Sequence, residues 1–272
     1  MGKVIAICNP KGGTAKTSTA VNLACAFTTI NKKVLLVDFD PQRSASVALG
    51  YEYADVEHNI ATCIFDNVPI DKCITPYLKG GFDVVLSSDD LVALPTELKE
   101  RVNPHLALYD TLKPIVDKYD YIIIDTPATL NFITQCALCA CDYLLITVSC
   151  DLFAIDSMYA LIDKYASIKK EGLAHCNLVG IIRTLYDKDQ PLSKAISFEL
   201  EQSFKELLFK TCISYNQKIS ESSSAACPIL IYDRTSTASI EYLSLCGEFI
   251  KKIRKLALRA YLWKHEDPDL NS

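Results

Sequence analysis

Lys11 and Lys16 bracket the short stretch Gly12-Gly13-Thr14-Ala15, directly after an apolar run at 4–8. A loop that holds a polyphosphate must turn backbone N–H groups inward and leave the phosphates room. Glycines supply both, and the helix that follows adds the positive end of its dipole. In such a loop Gly12 and Gly13 make the turn, and Thr14, Ala15 and Ser18 complete the binding set. Lys16 reaches the β- and γ-phosphates, and the Thr17 hydroxyl serves Mg2+. Ala20, Leu23, Ala24 and Phe27 then fall on one face of a helix. The strict pattern G-x-x-x-x-G-K-[ST] is missed at Pro10 and Ala15, so a Gly-Gly turn with two solvated lysines stays open as a reading of this fragment alone. A methyl group at Ala15 crowds the phosphates, or costs about 1 kcal/mol if its φ is positive. One lysine suggests a nucleotide; a second at Lys11 suggests a nucleotide shared across a dimer.

Carboxylates stand at the ends of two further apolar runs. The first is Val34-Leu35-Leu36-Val37-Asp38-Phe39-Asp40-Pro41-Gln42, the second Tyr119-Asp120-Tyr121-Ile122-Ile123-Ile124-Asp125-Thr126-Pro127. Phosphoryl transfer to water needs charge neutralisation, a metal and a positioned nucleophile. Taken alone, Asp38 and Asp40 read better as two solvated acids at a strand end; beside the lysine loop they read as part of a site.

The three segments together resemble the ParA/MinD ATPases. Lys11-Gly12-Gly13-x-x-Lys16-Thr17 looks like the deviant Walker A box, residues 34–42 like the D-x-D-P-Q box, and residues 119–127 like the Walker B strand and switch. The likeness runs on through Asp142-Tyr143-Leu144-Leu145-Ile146 and Pro228-Ile229-Leu230-Ile231-Tyr232-Asp233, covers roughly residues 3 to 255, and is greatest to the ParA/Soj partitioning branch. The resemblance implies a P-loop NTPase that takes ATP and Mg2+. Asp125, Asp38 and Thr17 then belong to the metal set, and Asp40 orients or activates the attacking water. Lys11 and Lys16 act on the phosphates, Lys11 those of the partner subunit, and the loops at Thr184 and Asn216 flank the adenine. It further implies a slow ATPase that dimerises on ATP, binds DNA without sequence preference and is stimulated by a ParB-like partner during plasmid or chromosome partitioning. The alternative is a MinD-like positioning switch at a membrane or protein surface.

The elements that must position these residues alternate. Strands are expected at 4–8, 34–38, 82–86, 121–125, 143–148, 178–184 and 211–214, and helices starting near Lys16, Ser88, His105, Thr129, Phe153, Leu192 and Ser236. Fully apolar strands with helices between them predict an α/β fold, a mostly parallel twisted sheet with helices on both faces. Ligands bind such sheets at the carboxyl ends of the strands, where the loop and both acidic motifs fall. Residues 1–264 read as a single domain and 265–272 as a polar tail.

The chain has 272 residues, half of them apolar, enough for one large core. With a net charge of −5, any DNA contact must come from a local basic patch. No apolar run approaches a membrane span and none reads as a signal peptide, so a cytoplasmic protein is expected, nucleoid-associated if it binds DNA. Twelve cysteines fall mostly on apolar segments and read as small hydrophobes in a reducing compartment. Cys136, Cys139 and Cys141 admit a dimer-bridging metal cluster, but no second C-x-x-C completes a four-thiolate site within one chain. In the partitioning branch two segments carry DNA-contacting arginines. Here Asp187-Lys188-Asp189 puts an acid in one, while the other keeps Lys218 but has Tyr215. The acid-free run with Lys251, Lys252, Arg254, Lys255, Arg259 and Lys264 carries an apolar side at Ile250, Ile253, Leu256, Ala257 and Ala260, with Leu262 and Trp263 following. It reads as a DNA-contacting face, with Lys252 and Lys255 joining Lys218 as candidates, as a membrane-targeting helix, or as a last helix with a solvated face.

Overall fold

The computed structural model describes residues 2–52 and 57–266, with side chains described as far as Arg259. Eight strands form one sheet: β1 (Lys3–Cys8), β2 (Val34–Asp38), β3 (Ile74–Tyr77), β4 (Phe82–Val85), β5 (Tyr121–Asp125), β6 (Tyr143–Ser149), β7 (Asn177–Tyr186) and β8 (Leu208–Ser214). Their order is β3-β4-β2-β5-β1-β6-β7-β8, and every pair is parallel except β3 with β4. The helices are α1 (Lys16–Thr28), α2 (Ser44–Ala48), α3 (Ile60–Phe65), α4 (Leu94–Glu97), α5 (Ala107–Leu112), α6 (Phe132–Ala140), α7 (Ala154–Lys170), α8 (Pro191–Phe204), α9 (Gln217–Ser224), α10 (Ile229–Tyr232) and α11 (Thr237–Glu266).

Alternation within the strands builds two cores. In β1, Val4, Ala6 and Cys8 join one apolar cluster with residues of α3, α5, α6 and α7, while Ile5 and Ile7 join a second with α1, α10 and α11. Both faces of the sheet are covered, which is why its central strands read as unbroken apolar runs. Phe27 of α1 stacks on Tyr121 at a centroid distance of 4.0 Å and meets Phe249 of α11 edge-on at 6.0 Å, fixing both helices to the same face.

The seven expected strands are present. The eighth, β3, is a four-residue antiparallel edge strand containing Pro76, with only Tyr77 buried. Proline fits an edge strand, and so short a segment with one buried residue carries little periodic signal. The helix expected near Ser88 is a 3-10 turn, Asp89–Ala93, running into α4. The short helices α2, α3, α9 and α10 stand outside the expected set. The last helix continues through His265 and Glu266, into the stretch read as a tail; residues 267–272 lie outside the described residues.

Candidate active site

β1 lies between β5 and β6, with β2 and β4 beyond β5 on one side and β7 and β8 on the other. The chain therefore changes direction at the carboxyl end of β1, the place where open α/β sheets form a crevice. Residues 9–15 span that crevice. Buried Asn9 fixes the loop's base: its Nδ2 donates to the Thr147 carbonyl at 2.5 Å, and its Oδ1 accepts from the Lys11 amide at 2.8 Å. Thr14 is wholly buried, donates to the Lys11 carbonyl at 3.3 Å, and accepts from Thr147 Oγ1 at 3.2 Å. Gly13 has φ 74°, a conformation that favours glycine, and a β-carbon on Gly12 or Gly13 would meet nothing within 4 Å. The loop thus presents open backbone outward while its underside is bolted to β6.

Ala15 caps α1 at φ 57° and ψ 31°, so the condition attached to its methyl group is met. Arg43 and Phe153 adopt the same left-handed conformation as caps of α2 and α7, just beyond β2 and β6. Of seven non-glycine residues with positive φ among the described residues, these three lie just beyond the carboxyl ends of β1, β2 and β6, where the loops must point inward.

Lys16 is 7% exposed, and its ammonium lies 3.2 Å from the Lys11 carbonyl. Burial lowers its pKa, and Asp125 opposes that shift. The strand register sets Asp38 of β2 directly beside Asp125 of β5, so the two carboxylates leave the same face of adjacent strands. Asp38 accepts from the Ser46 amide and hydroxyl, both at 2.7 Å, and from the Asp40 amide at 3.2 Å. Burial nonetheless raises its pKa to about 6. Neither buried oxygen of Asp125 makes a hydrogen bond, although the Thr17 hydroxyl stands close by. Burial first, and then the Asp38 carboxylate, push the Asp125 pKa well up. A buried carboxylate with at most the Thr17 hydroxyl beside it, near a lysine and next to a second acid, fits a divalent cation, with Asp125, Asp38 and Thr17 as the ligands. Asp40 sits higher and 8% exposed; its Oδ1 accepts from the Gln42 amide at 2.9 Å, and its carbonyl accepts from Ser87 Oγ at 2.7 Å. Ser18 continues α1, its carbonyl accepting from Asn22.

Lys11 is folded back within its own chain. Its ammonium pairs with Asp151 and donates to the Leu152 carbonyl at 2.9 Å, at an edge where Leu152 and Phe153 are 57% and 68% exposed. Thr184 lies inside β7 rather than at its end, fully buried, and its hydroxyl donates to the Thr14 carbonyl at 3.0 Å, bracing the phosphate loop from below. Asn216 caps α9 and lines a cavity of about 440 Å³ with Tyr186, Ser214, Tyr215 and Thr237 beyond β7 and β8.

Sequence reasoning missed Asn9, Ser46, Ser87, Thr147 and Asp151. Thr147 and Asn9 were visible as polar residues in or just after apolar strands; the partnership of Asp151 with a lysine 140 positions away left no local trace.

The three candidate nucleic-acid contacts differ. Lys218 is exposed and paired with Asp233. Lys252 donates to the Glu206 and Leu207 carbonyls at 3.2 and 3.0 Å and sits 4.7 Å over the Phe209 ring, so it ties α11 to β8. Lys255 is exposed, as are Lys251, Arg254 and Arg259. The apolar side of α11 is turned inward: Ile253 is 6% exposed, and Ile250 and Leu256 pack on the same core. No described helix is long and apolar enough to cross a membrane. Cys136, Cys139 and Cys141 are buried in the core, and no group of three or more His, Cys, Asp or Glu among the described residues is placed to hold a metal.

Comparison with known proteins bears on the same region. A model of the AAA domain family matches residues 2–178. The sporulation initiation inhibitor protein Soj of Bacillus subtilis is 34% identical over 91% of this chain and 98% of its own. The chromosome partitioning protein ParA of Myxococcus xanthus is 32% identical over 93% and 89%. A plasmid partition protein of Borrelia burgdorferi, solved bound to AMPPNP, superposes with a TM-score of 0.77 at 26% identity, covering 93% of this chain and all of that one.

Proposed function

The chain belongs to the ParA/Soj family of P-loop ATPases, and from that premise we propose that it binds and hydrolyses ATP as a dimer switch in plasmid or chromosome partitioning. The observation that carries this reading is the meeting of an open phosphate loop, a buried Lys16 and a buried, under-satisfied Asp125 at the sheet's switch point, with Lys11 at the exposed rim. Lys16 and the loop amides of residues 12–18 hold the β- and γ-phosphates, and Asn216 borders the base. Asp125, Asp38 and Thr17 hold Mg2+, which when bound neutralises phosphate charge and orients the terminal group. Asp40, tied at its carbonyl to Ser87 and largely buried beside the phosphate loop, orients the attacking water. Lys11 leaves Asp151 to stabilise the charge on the partner's phosphates, as an arginine finger does. The ATP-bound dimer binds DNA through exposed cations of α11, and a ParB-like protein stimulates turnover.

Light scattering with ATP and Mg2+ tests the switch. The parent chain passes from monomer to dimer, whereas Lys11→Ala stays monomeric and Asp40→Ala forms a dimer that persists because hydrolysis is lost. A Lys11→Ala variant that dimerises as the parent does would sink the shared-nucleotide reading. Phosphate release that survives Asp40→Ala would remove Asp40 from the reaction.

A further inference from the structure

Away from the nucleotide crevice, the small lobe between α3 and β3 holds two thiols in contact. Cys63 on α3 and Cys73, closing the 3-10 turn Ile70–Lys72, are ten positions apart in sequence, and their sulfurs stand 2.8 Å apart. A covalent S–S bond is about 2.05 Å, so a shift of less than about 1 Å completes one. Both thiols are buried, at 6% and 1% exposure. Cys63 also lines a cavity of about 210 Å³ whose other walls include the exposed Asn67, Pro69 and Arg101, a route for a small reagent. Cys141 and Cys176 make the second thiol contact, inside the core between β6, β7 and α6, at 6% and 0% exposure.

We propose that Cys63 and Cys73 are an oxidisable dithiol that a low-molecular-weight disulfide converts into an intramolecular disulfide. The Cys63 sulfur attacks one sulfur of the reagent R–S–S–R; that bond breaks, and the first thiolate leaves with the Cys63 proton as RSH. The Cys73 sulfur then attacks the Cys63 sulfur of the mixed disulfide, and the second thiolate leaves with the Cys73 proton. The two cysteines lose two electrons, and the reagent gains them as two thiols.

The link joins α3 to the residue before β3. The amide of Ile60, at the start of α3, donates to the Leu86 carbonyl at 3.0 Å, and the next residue, Ser87, holds the Asp40 carbonyl. The disulfide therefore ties down the element beside the segment that supports Asp40, and stabilises the fold by restricting the unfolded chain.

The test treats the full chain with bis(2-hydroxyethyl) disulfide, small enough for the cavity, and maps peptides without reduction. Titratable thiols in denaturant fall from twelve to ten, the intact mass drops by two hydrogens, and one linked peptide pair carries Cys63 and Cys73. Oxidation raises the thermal midpoint of the parent and leaves that of Cys63→Ser unchanged. Twelve thiols surviving, a mixed disulfide persisting on Cys63, or a link confined to other cysteines such as Cys141 and Cys176 overturns the proposal. None of these readouts involves ATP, so failure here leaves the nucleotide reading untouched, and the reverse holds as well.

Discussion

Ala15 stands at φ 57° and ψ 31°, immediately before Lys16, the lysine proposed to contact phosphate. For an alanine this conformation costs about 1 kcal/mol, which glycine avoids at some expense in unfolded-chain entropy. Ala15→Gly is therefore expected to leave the thermal midpoint unchanged or raise it, by at most about 1 kcal/mol in stability. Ala15→Val, whose branched side chain tolerates positive φ poorly, lowers it by more. A glycine variant clearly less stable than the parent would show that the methyl group contributes packing energy elsewhere. Asp38 couples the stability of the fold to pH. Its carboxyl, raised to about 6 by burial, binds its proton more tightly in the folded chain than in the unfolded one, where the value is about 3.9. Stability from this group is therefore greatest below about pH 4, falls as pH rises to about 6, and is flat above that. Thermal unfolding without nucleotide should show that decline, and Asp38→Asn should make it shallower, the remainder coming from Asp125, whose pKa burial also pushes well up. Mg2+ with ADP should stabilise the parent more at pH 7 than at pH 5, because the cation meets an ionised pair. A nucleotide-free midpoint that rises from pH 4 to pH 6 in the parent but not in Asp38→Asn would contradict the sign.

At the scale of elements, α11 shows how a sequence pattern resolves into different duties. Its Ile250, Ile253 and Leu256 side packs against the sheet, while Leu258 is exposed beside the cations and the side chains of Leu262 and Trp263 lie outside the described residues. Lys252 is committed to the carbonyls of residues 206 and 207, whereas Lys251, Arg254, Lys255 and Arg259 are exposed with no acid between Glu248 and Glu266. Lys255→Glu with Arg259→Glu should weaken ATP-dependent binding to random-sequence DNA by about tenfold or more. Its salt dependence should fall by about one unit of slope for each phosphate that is no longer neutralised. Binding that is unaffected, or insensitive to salt, would point to a protein surface as the target. The sequence exposed what local chemistry makes periodic or repetitive: the phosphate loop between β1 and α1, the acids closing β2 and β5, and the two-sided burial of every central strand. It did not expose β3, where one buried tyrosine and a proline leave no alternation, nor α2 and α10, too short for a helical period. Nor did it expose the contacts between distant segments that fix the site, such as Thr184 beneath Thr14 or Asp151 on Lys11. Burial of Thr184 reverses the simple picture of a base-flanking residue at a strand end, because β7 runs two residues further than its apolar core.

For the whole molecule, the decisive question is how strongly the monomer holds its own Lys11. The Lys11 and Asp151 side chains are 24% and 53% exposed. An ion pair in so much solvent is worth about 1 kcal/mol or less, because water screens the attraction and two flexible side chains must be ordered. The contact is thus too weak to lock the chain as a monomer, yet strong enough to bias where the lysine waits. In the proposed ATP-bound dimer, Lys11 would exchange one exposed carboxylate for the concentrated charge of a triphosphate, and Leu152 and Phe153 beside it, exposed in the single chain, would gain cover in the same event. Asp151→Asn removes the competing partner without removing the lysine. The ATP concentration giving half-maximal dimer, read by light scattering, should then fall by up to about fivefold, the equivalent of about 1 kcal/mol. Lys11→Ala and the double variant should both fail to dimerise, since the loss of Asp151 has nothing to act on without the lysine. If Asp151→Asn instead required more ATP, Asp151 would be a contact of the assembled dimer rather than a resting place for Lys11, and the monomer would have no stored bias to release.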